Sequence, residues 1–262
     1  MIPRRYIQEW KSSSGWVLDS QIEQDLVISR AIAAIFSNDF LRAKLAFRGG
    51  TALYKLYVTP APRYSEDIDM VQIQAGPIKE IIDPLREVLS FLGKPAVRQK
   101  ADNNTMLFHF DSEIPPVARL KLKVEINCRE HFSVIGYKEV TFSVSSGWFN
   151  GNCIVNTYHF DELIGTKLRA LYQRKKGRDL YDIYKALCSE QSDSRSILKC
   201  YRKYMMASVG KMPSKKEFLK NIEAKINDPD FLTDVEALLK PGEIYNSDRA
   251  FELIKKELIV GM

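Results

Sequence analysis

Residues 119–127 read Arg-Leu-Lys-Leu-Lys-Val-Glu-Ile-Asn, the clearest alternation in the chain. At a side-chain period of two, Leu120, Leu122, Val124 and Ile126 point one way. Lys121, Lys123, Glu125 and Asn127 point the other. A helix would scatter this pattern around its circumference, so the segment demands a strand with one buried and one polar face. Neighbouring segments extend the requirement: 104–110 (NTMLFHF), 138–144 and 153–157 read as further strands. The middle of the chain is therefore built on a sheet.

The flanks differ. Residues 18–37 place Leu18, Ile22, Leu26, Ala33 and Phe36 on one helical stripe, widened by Ile28, Ile32 and Ile35. LAFRGGTALYKLY reads as a short apolar strand, a glycine turn and a short helix, and DIDMVQI as another strand. Residues 77–92 read as helical from Pro77, a favourable first-turn residue. Pro84 is expected to kink or restart that helix. From about residue 159 the periodicity is helical to the C-terminus. The expected division is an α/β half with an N-terminal helix over 1–157, then a basic helical half over 158–262. The 262 residues fit one large domain or two modest ones, at roughly 100–200 residues per domain.

Composition sets limits rather than a function. A hydrophobic share of 45% with 27% charged residues excludes disorder and collagen-like repeats. The net charge of +6 favours a polyanionic partner without naming one. Its distribution says more: residues 161–226 hold 16 Lys/Arg against 8 Asp/Glu, leaving 23 against 25 elsewhere, so the excess is regional. The start has arginines but no apolar core after them, and the longest uncharged run contains SVSSGWFNGN, which no bilayer-spanning helix would tolerate. Cysteines 128, 153, 188 and 200 form no C-x-x-C pair or zinc spacing. A cytoplasmic protein with reduced thiols and no membrane association is expected.

The chemistry concentrates in carboxylates. Asp67 and Asp69, two apart on a predicted strand, project from one face while Ile68 packs behind them. Like charges that close repel unless a cation lies between them. Mg²⁺ suits the place, since it accepts carboxylate and phosphate oxygens together. Gly49-Gly50-Thr51 stands between a strand and a helix start, where backbone can approach a phosphate and helix N–H groups face the anion. Glu125 adds a third carboxylate. Each piece alone has a plain alternative: a solvated strand edge, an ordinary turn, or a salt bridge from Glu125 to Lys121 or Lys123.

Together, FRGGTALYKLY, RYSEDIDM, KVEIN and DELIGTKLRALYQRKKGRDLYDIY resemble the nucleotidyltransferase superfamily related to DNA polymerase β. They resemble more closely its AbiEii/AbiGii-type toxins of abortive-infection and type IV toxin–antitoxin systems. The likeness spans about residues 47–188; Pro60 and Pro62 depart from it by shortening the helix after the glycines.

The resemblance implies an α+β fold: a polymerase-β-like core with a mixed sheet and helices, followed by a mostly helical C-terminal half. It implies that Asp67, Asp69 and Glu125 bind Mg²⁺ or Mn²⁺, and that Gly49, Gly50 and Thr51 hold the triphosphate through backbone amides. Ser65 would add a hydroxyl contact. On the helical motif, Lys167 would face the triphosphate and Asp179 would orient Lys167 or a substrate group, with Arg178 and Asp182 in support. An interior salt network among these residues is the structural alternative. Arg174, Lys175, Lys176, Lys199, Arg202 and Lys203 would meet an RNA backbone, and Tyr201 and Tyr204, interleaved among the basic residues, would stack on an exposed base.

The implied activity is a metal-dependent transfer of a nucleotidyl group from a nucleoside triphosphate to RNA, with tRNA the leading acceptor. Translation and growth would stop, and a cognate antitoxin would be a partner. Two alternatives stand beside it: a small-molecule, antibiotic-type nucleotidyltransferase, and a triphosphate-binding regulator without transfer.

Overall fold

A computed structural model describes residues 2–100, 102–189 and 192–262. The chain divides into two compact units: 1–132 with 137–158, and 133–136 with 159–262.

The first unit opens with helices α1 (Arg4–Ser14), α2 (Asp19–Ser37) and α3 (Asp39–Lys44). Strand β1 (Leu45–Arg48) runs directly into α4 (Gly49–Leu56), followed by β2 (Asp67–Gln72) and α5 (Lys79–Val88). Strands β3 (Ala96–Gln99), β4 (Asn103–Asp111), β5 (Arg119–Asn127), β6 (Tyr137–Ser145) and β7 (Asn150–Tyr158) complete a seven-stranded sheet in the order β3-β4-β5-β2-β1-β7-β6. The β2–β5 and β1–β7 pairs are parallel and the other neighbours antiparallel, so the sheet is mixed.

The alternation in β5 sorts as expected. Leu122, Val124 and Ile126 are fully buried. Each such side chain contributes about 1.5–3 kcal/mol of burial. On this face Phe47 of β1, Met70 of β2 and Ile126 of β5 lie in one row. Helix α2 packs against β2, β5, β6 and β7, and Phe36 meets Phe47 with ring centroids 6.1 Å apart. The opposite face of β2 and β5 is the polar one.

Two local expectations are revised. Helix α5 continues through Pro84, because the lost N–H costs one bond while Ile81, Ile82 and Leu85 stay buried. Helix α1 was not expected from the polar N-terminal sequence. Trp10 donates its indole N–H to Asp25 at 2.9 Å, and Asp25 also pairs with Lys55 at 2.8 Å, anchoring the helix to α2 and α4.

The second unit holds α6 (Phe160–Gln173), α7 (Gly177–Leu187), α8 (Ser194–Val209), α9 (Lys215–Ile226), α10 (Pro229–Thr233) and α11 (Ser247–Glu257). Glu162, fully buried in α6, accepts from the Ser133 hydroxyl, the Val134 and Ile135 amides and the Tyr204 hydroxyl at 2.7–3.1 Å. Those bonds explain why 133–136 belongs to this unit. Among the described residues no helix is long and apolar enough to cross a membrane.

Candidate active site

Strand pairing turns a sequence parity into a site. Arg48 on β1 is the register partner of Asp69 on β2; Asp69 is the partner of Glu125 on β5, and Glu125 of Thr105 on β4. Directly opposed residues share a face. One row therefore reads Arg48, Asp69, Glu125, Thr105. In the next, Asp67 lies opposite Lys123.

The charges in this patch are unevenly matched. Lys123 Nζ lies 3.0 Å from Asp67 Oδ2 and 3.2 Å from Glu125 Oε2. Arg48 is drawn to Glu130 at 2.6 Å. Asp69 has its pKa raised, first by burial and then by the charges of Asp67 and Glu125, which Lys123 and Arg48 only partly offset. Burial acts on Glu125 in the same sense but is outweighed: a hydrogen bond from Asn103, with Lys123 and Arg48, holds its pKa below the usual value. Burial would lower the Lys123 pKa, yet Asp67 and Glu125 raise it overall. Three carboxylates around one ammonium leave a surplus of negative charge centred on Asp69.

The glycine turn serves this cluster directly. Gly49 has φ +82°, and a Cβ there would stand 2.3 Å from Asp69 Oδ2. Only glycine lets the strand end turn into α4 while the Asp69 carboxylate rests against the backbone. The N-cap residue Arg48 makes no side-chain cap hydrogen bond to α4, and amides at a helix start suit an anion. The hydroxyl of Thr51, a buried residue, meets Ser65 Oγ at 2.8 Å and donates to the Asp67 carbonyl, tying the helix start to the strand that carries the carboxylates. Arg63, also buried, brings Nη2 to within 2.8 Å of where a Gly50 Cβ would be.

A hard divalent cation fits the donor chemistry of Asp67, Asp69 and Glu125: carboxylate oxygens on neighbouring strands, with excess negative charge. Among the described residues, however, no three His, Cys, Asp or Glu side chains converge on one point as a metal-holding group. The Lys123 ammonium stands between Asp67 and Glu125 instead.

In the helical unit, Lys167 of α6 reaches Asp182 at 2.8 Å and Asp179 at 3.3 Å, both aspartates on α7 and fully buried. Arg174 forks onto the two oxygens of Asp179 at 2.7 and 2.8 Å. Burial alone would raise the Asp179 pKa, but Lys167 and Arg174 depress it. This is an interior salt network. Gly177 opens α7 rather than closing α6: a Cβ there would sit 2.0 Å from the Phe231 carbonyl oxygen, so glycine permits the close approach.

Several basic residues are engaged within the same unit. Lys175 pairs with Asp228; Lys176 reaches Asp234 at 3.1 Å, and Arg178 reaches it at 3.9 Å. Lys199, Arg202 and Lys203 are exposed on α8, with Arg202 donating to the Gly261 carbonyl at 2.8 Å. Tyr201 and Tyr204 are fully buried, which removes them as stacking platforms. Arg48, Asn103, Arg63 and Glu130 complete the carboxylate neighbourhood and were not assigned a role from sequence, whereas the Lys123–Glu125 salt bridge was one of the sequence alternatives. For Arg48 the signal was present: it ends the short strand immediately before Gly49.

The sequence family gives the class of this protein, a nucleotidyltransferase. The sequence model of the AbiEii nucleotidyltransferase toxins, of type IV toxin–antitoxin systems, matches residues 30–255, and the chain belongs to that family. The fold is similar to that of MenT4, a nucleotidyltransferase toxin of Mycobacterium tuberculosis H37Rv: TM-score 0.70 at 14% identity, covering 100% of this chain and 91% of that one. It is also similar to JHP933 of Helicobacter pylori: TM-score 0.57, 15% identity, 90% of each chain. No curated protein matches beyond chance.

Gly49→Ala should place a methyl against Asp69 and force a non-glycine residue into a left-handed backbone, which costs about 1–2 kcal/mol. Displacing the carboxylate by about 1 Å should lower nucleotidyl transfer on the order of 10²-fold. Transfer at the wild-type rate by a folded variant would show that Asp69 need not rest on Gly49.

Proposed function

We propose that this toxin transfers a nucleotidyl group from a nucleoside triphosphate to an RNA hydroxyl, with tRNA as the acceptor, and thereby blocks translation. The observation that carries the reading is the row Arg48, Asp69, Glu125 beside the start of α4. Asp67, Asp69 and Glu125 would hold Mg²⁺ or Mn²⁺, which when bound stabilises charge on the attacking and leaving oxygens. The amides of Gly49, Gly50 and Thr51 bind phosphate, and Ser65 keeps Thr51 in place through their hydroxyl contact. Within the helical unit Asp179 and Asp182 orient the Lys167 ammonium, and Arg178 supports α7 through Asp234.

The helical unit supplies the acceptor contact. Lys199, Arg202 and Lys203 present positive charge on the exposed side of α8 to a phosphate backbone. Arg174, Lys175 and Lys176 take a smaller share because carboxylates already hold them. A cognate antitoxin is the partner that the family's system calls for.

The test is incubation with total tRNA, Mg²⁺ and each of the four α-labelled triphosphates, beside Asp69→Ala. Label should appear on RNA with at least one triphosphate and vanish in the variant. Absence of label with all four, together with undiminished toxicity of Asp67→Ala in cells, would remove the proposal. Label on a small-molecule acceptor in place of RNA would move the activity to the antibiotic-type class.

A further inference from the structure

The pairing of β2 with β5 sets three carboxylates and one ammonium on adjacent positions of one sheet face: Asp67 opposite Lys123, Asp69 opposite Glu125. Neighbouring strands lie about 4.8 Å apart, so a cation on that face reaches both strands at once. Lys123 does so, bridging Asp67 Oδ2 and Glu125 Oε2 at 3.0 and 3.2 Å. These are the oxygens that a divalent cation would need. The three side chains remain accessible, at 33, 33 and 32% exposure for Lys123, Asp67 and Glu125, so an arriving ion can reach them.

We propose that Lys123 is a tethered counter-ion of the carboxylate site. Its ammonium neutralises Asp67 and Glu125 while no metal is bound, and a divalent cation must displace it to use the same oxygens. Lys123 is thus a positioning residue that weakens metal affinity and holds the carboxylates in place beforehand. Once displaced, the ammonium remains on the same sheet face as a positive charge released from both carboxylates. The arrangement favours loading of the metal together with a triphosphate, whose oxygens give the freed ammonium a new anionic partner. This inference rests on the metal-dependent reading above.

The experiment measures Mn²⁺ binding to the whole chain, by calorimetry and by the electron paramagnetic resonance signal of free Mn²⁺, for wild type, Lys123→Met, Lys123→Gln and Lys123→Arg. Removing a like charge from the metal's own position should tighten Mn²⁺ binding about tenfold or more in the Met and Gln variants. The Arg variant, which keeps the charge, should bind as wild type does. In EDTA the two neutral variants should melt below wild type, and saturating Mn²⁺ should close the gap. Mn²⁺ binding that is unchanged or weaker in both neutral variants would overturn the proposal while leaving the metal reading intact. No Mn²⁺ binding by any of the four proteins would overturn the metal reading and this proposal with it.

Discussion

Asp69→Asn is expected to yield a more heat-stable protein that has lost nucleotidyl transfer. The two effects share one cause. Asp69 is pressed by burial and by the charges of Asp67 and Glu125, which raise its pKa in the fold. A carboxyl whose folded pKa lies above its unfolded value of about 3.9 supports the fold while protonated. That support is complete below about pH 3.9 and lost as the pH rises through the folded value, so at neutral pH the ionised group opposes folding. Asparagine keeps the shape without the charge. Without divalent cations, its melting temperature should exceed wild type by at least ~2 °C, the scale of roughly 1 kcal/mol in a chain of this size. The gain should vanish in acid, where wild-type Asp69 is itself neutral. Transfer should fall on the order of 10³-fold, because a metal ligand contributes several kcal/mol of transition-state charge stabilisation. A variant melting at or below wild type across the pH range would show that Asp69 carries no electrostatic strain.

The salt network of the helical unit should respond in the opposite direction. Lys167→Met removes one of the two cations on Asp179 and the 2.8 Å partner of Asp182, and both carboxylates are fully buried. Breaking a buried pair on one side costs about 3–5 kcal/mol, far more than a surface pair would. The loss should appear as a lower urea midpoint for the helical circular-dichroism signal. Its pH dependence gives the sign. Asp179 is depressed in the fold, so its contribution is present above the unfolded pKa of about 3.9 and fades as the pH drops through the folded value. Wild type and variant midpoints should therefore converge below about pH 4. Adding Asp182→Asn should recover part of the loss, since the two sites are coupled. Midpoints that stay parallel from pH 3 to 7 would assign the effect to lost packing rather than to charge.

Much of the first unit was legible. Alternation in 119–127 placed Glu125 opposite the apolar set, and the spacing of Asp67 and Asp69 put both on one face. The glycine turn and every described strand except β3 lie where the sequence pattern set them, and the second half is helical from residue 160 as expected. The run Arg174-Lys175-Lys176 was less legible. As sequence it reads as a solvated, RNA-facing basic stretch, yet Asp228 and Asp234 arrive from more than fifty residues away to pair with the two lysines. The same holds for Tyr201 and Tyr204. Their spacing among basic residues suggested stacking, whereas Tyr201 packs edge-on against Phe218 of α9, Tyr204 donates to Glu162 of α6, and both are buried.

What the sequence by itself determined is parity: which side chains share a face, and hence that three carboxylates of this toxin could belong to one polar surface. Only the tertiary structure decided which strands are neighbours, and so that Asp67 faces Lys123 while Asp69 faces Glu125. The reason is physical. Side-chain direction follows from local backbone geometry. Pairing of β2 with β5 joins segments some fifty residues apart, and burial of Ile68, Val124 and Ile126 beneath them holds that register.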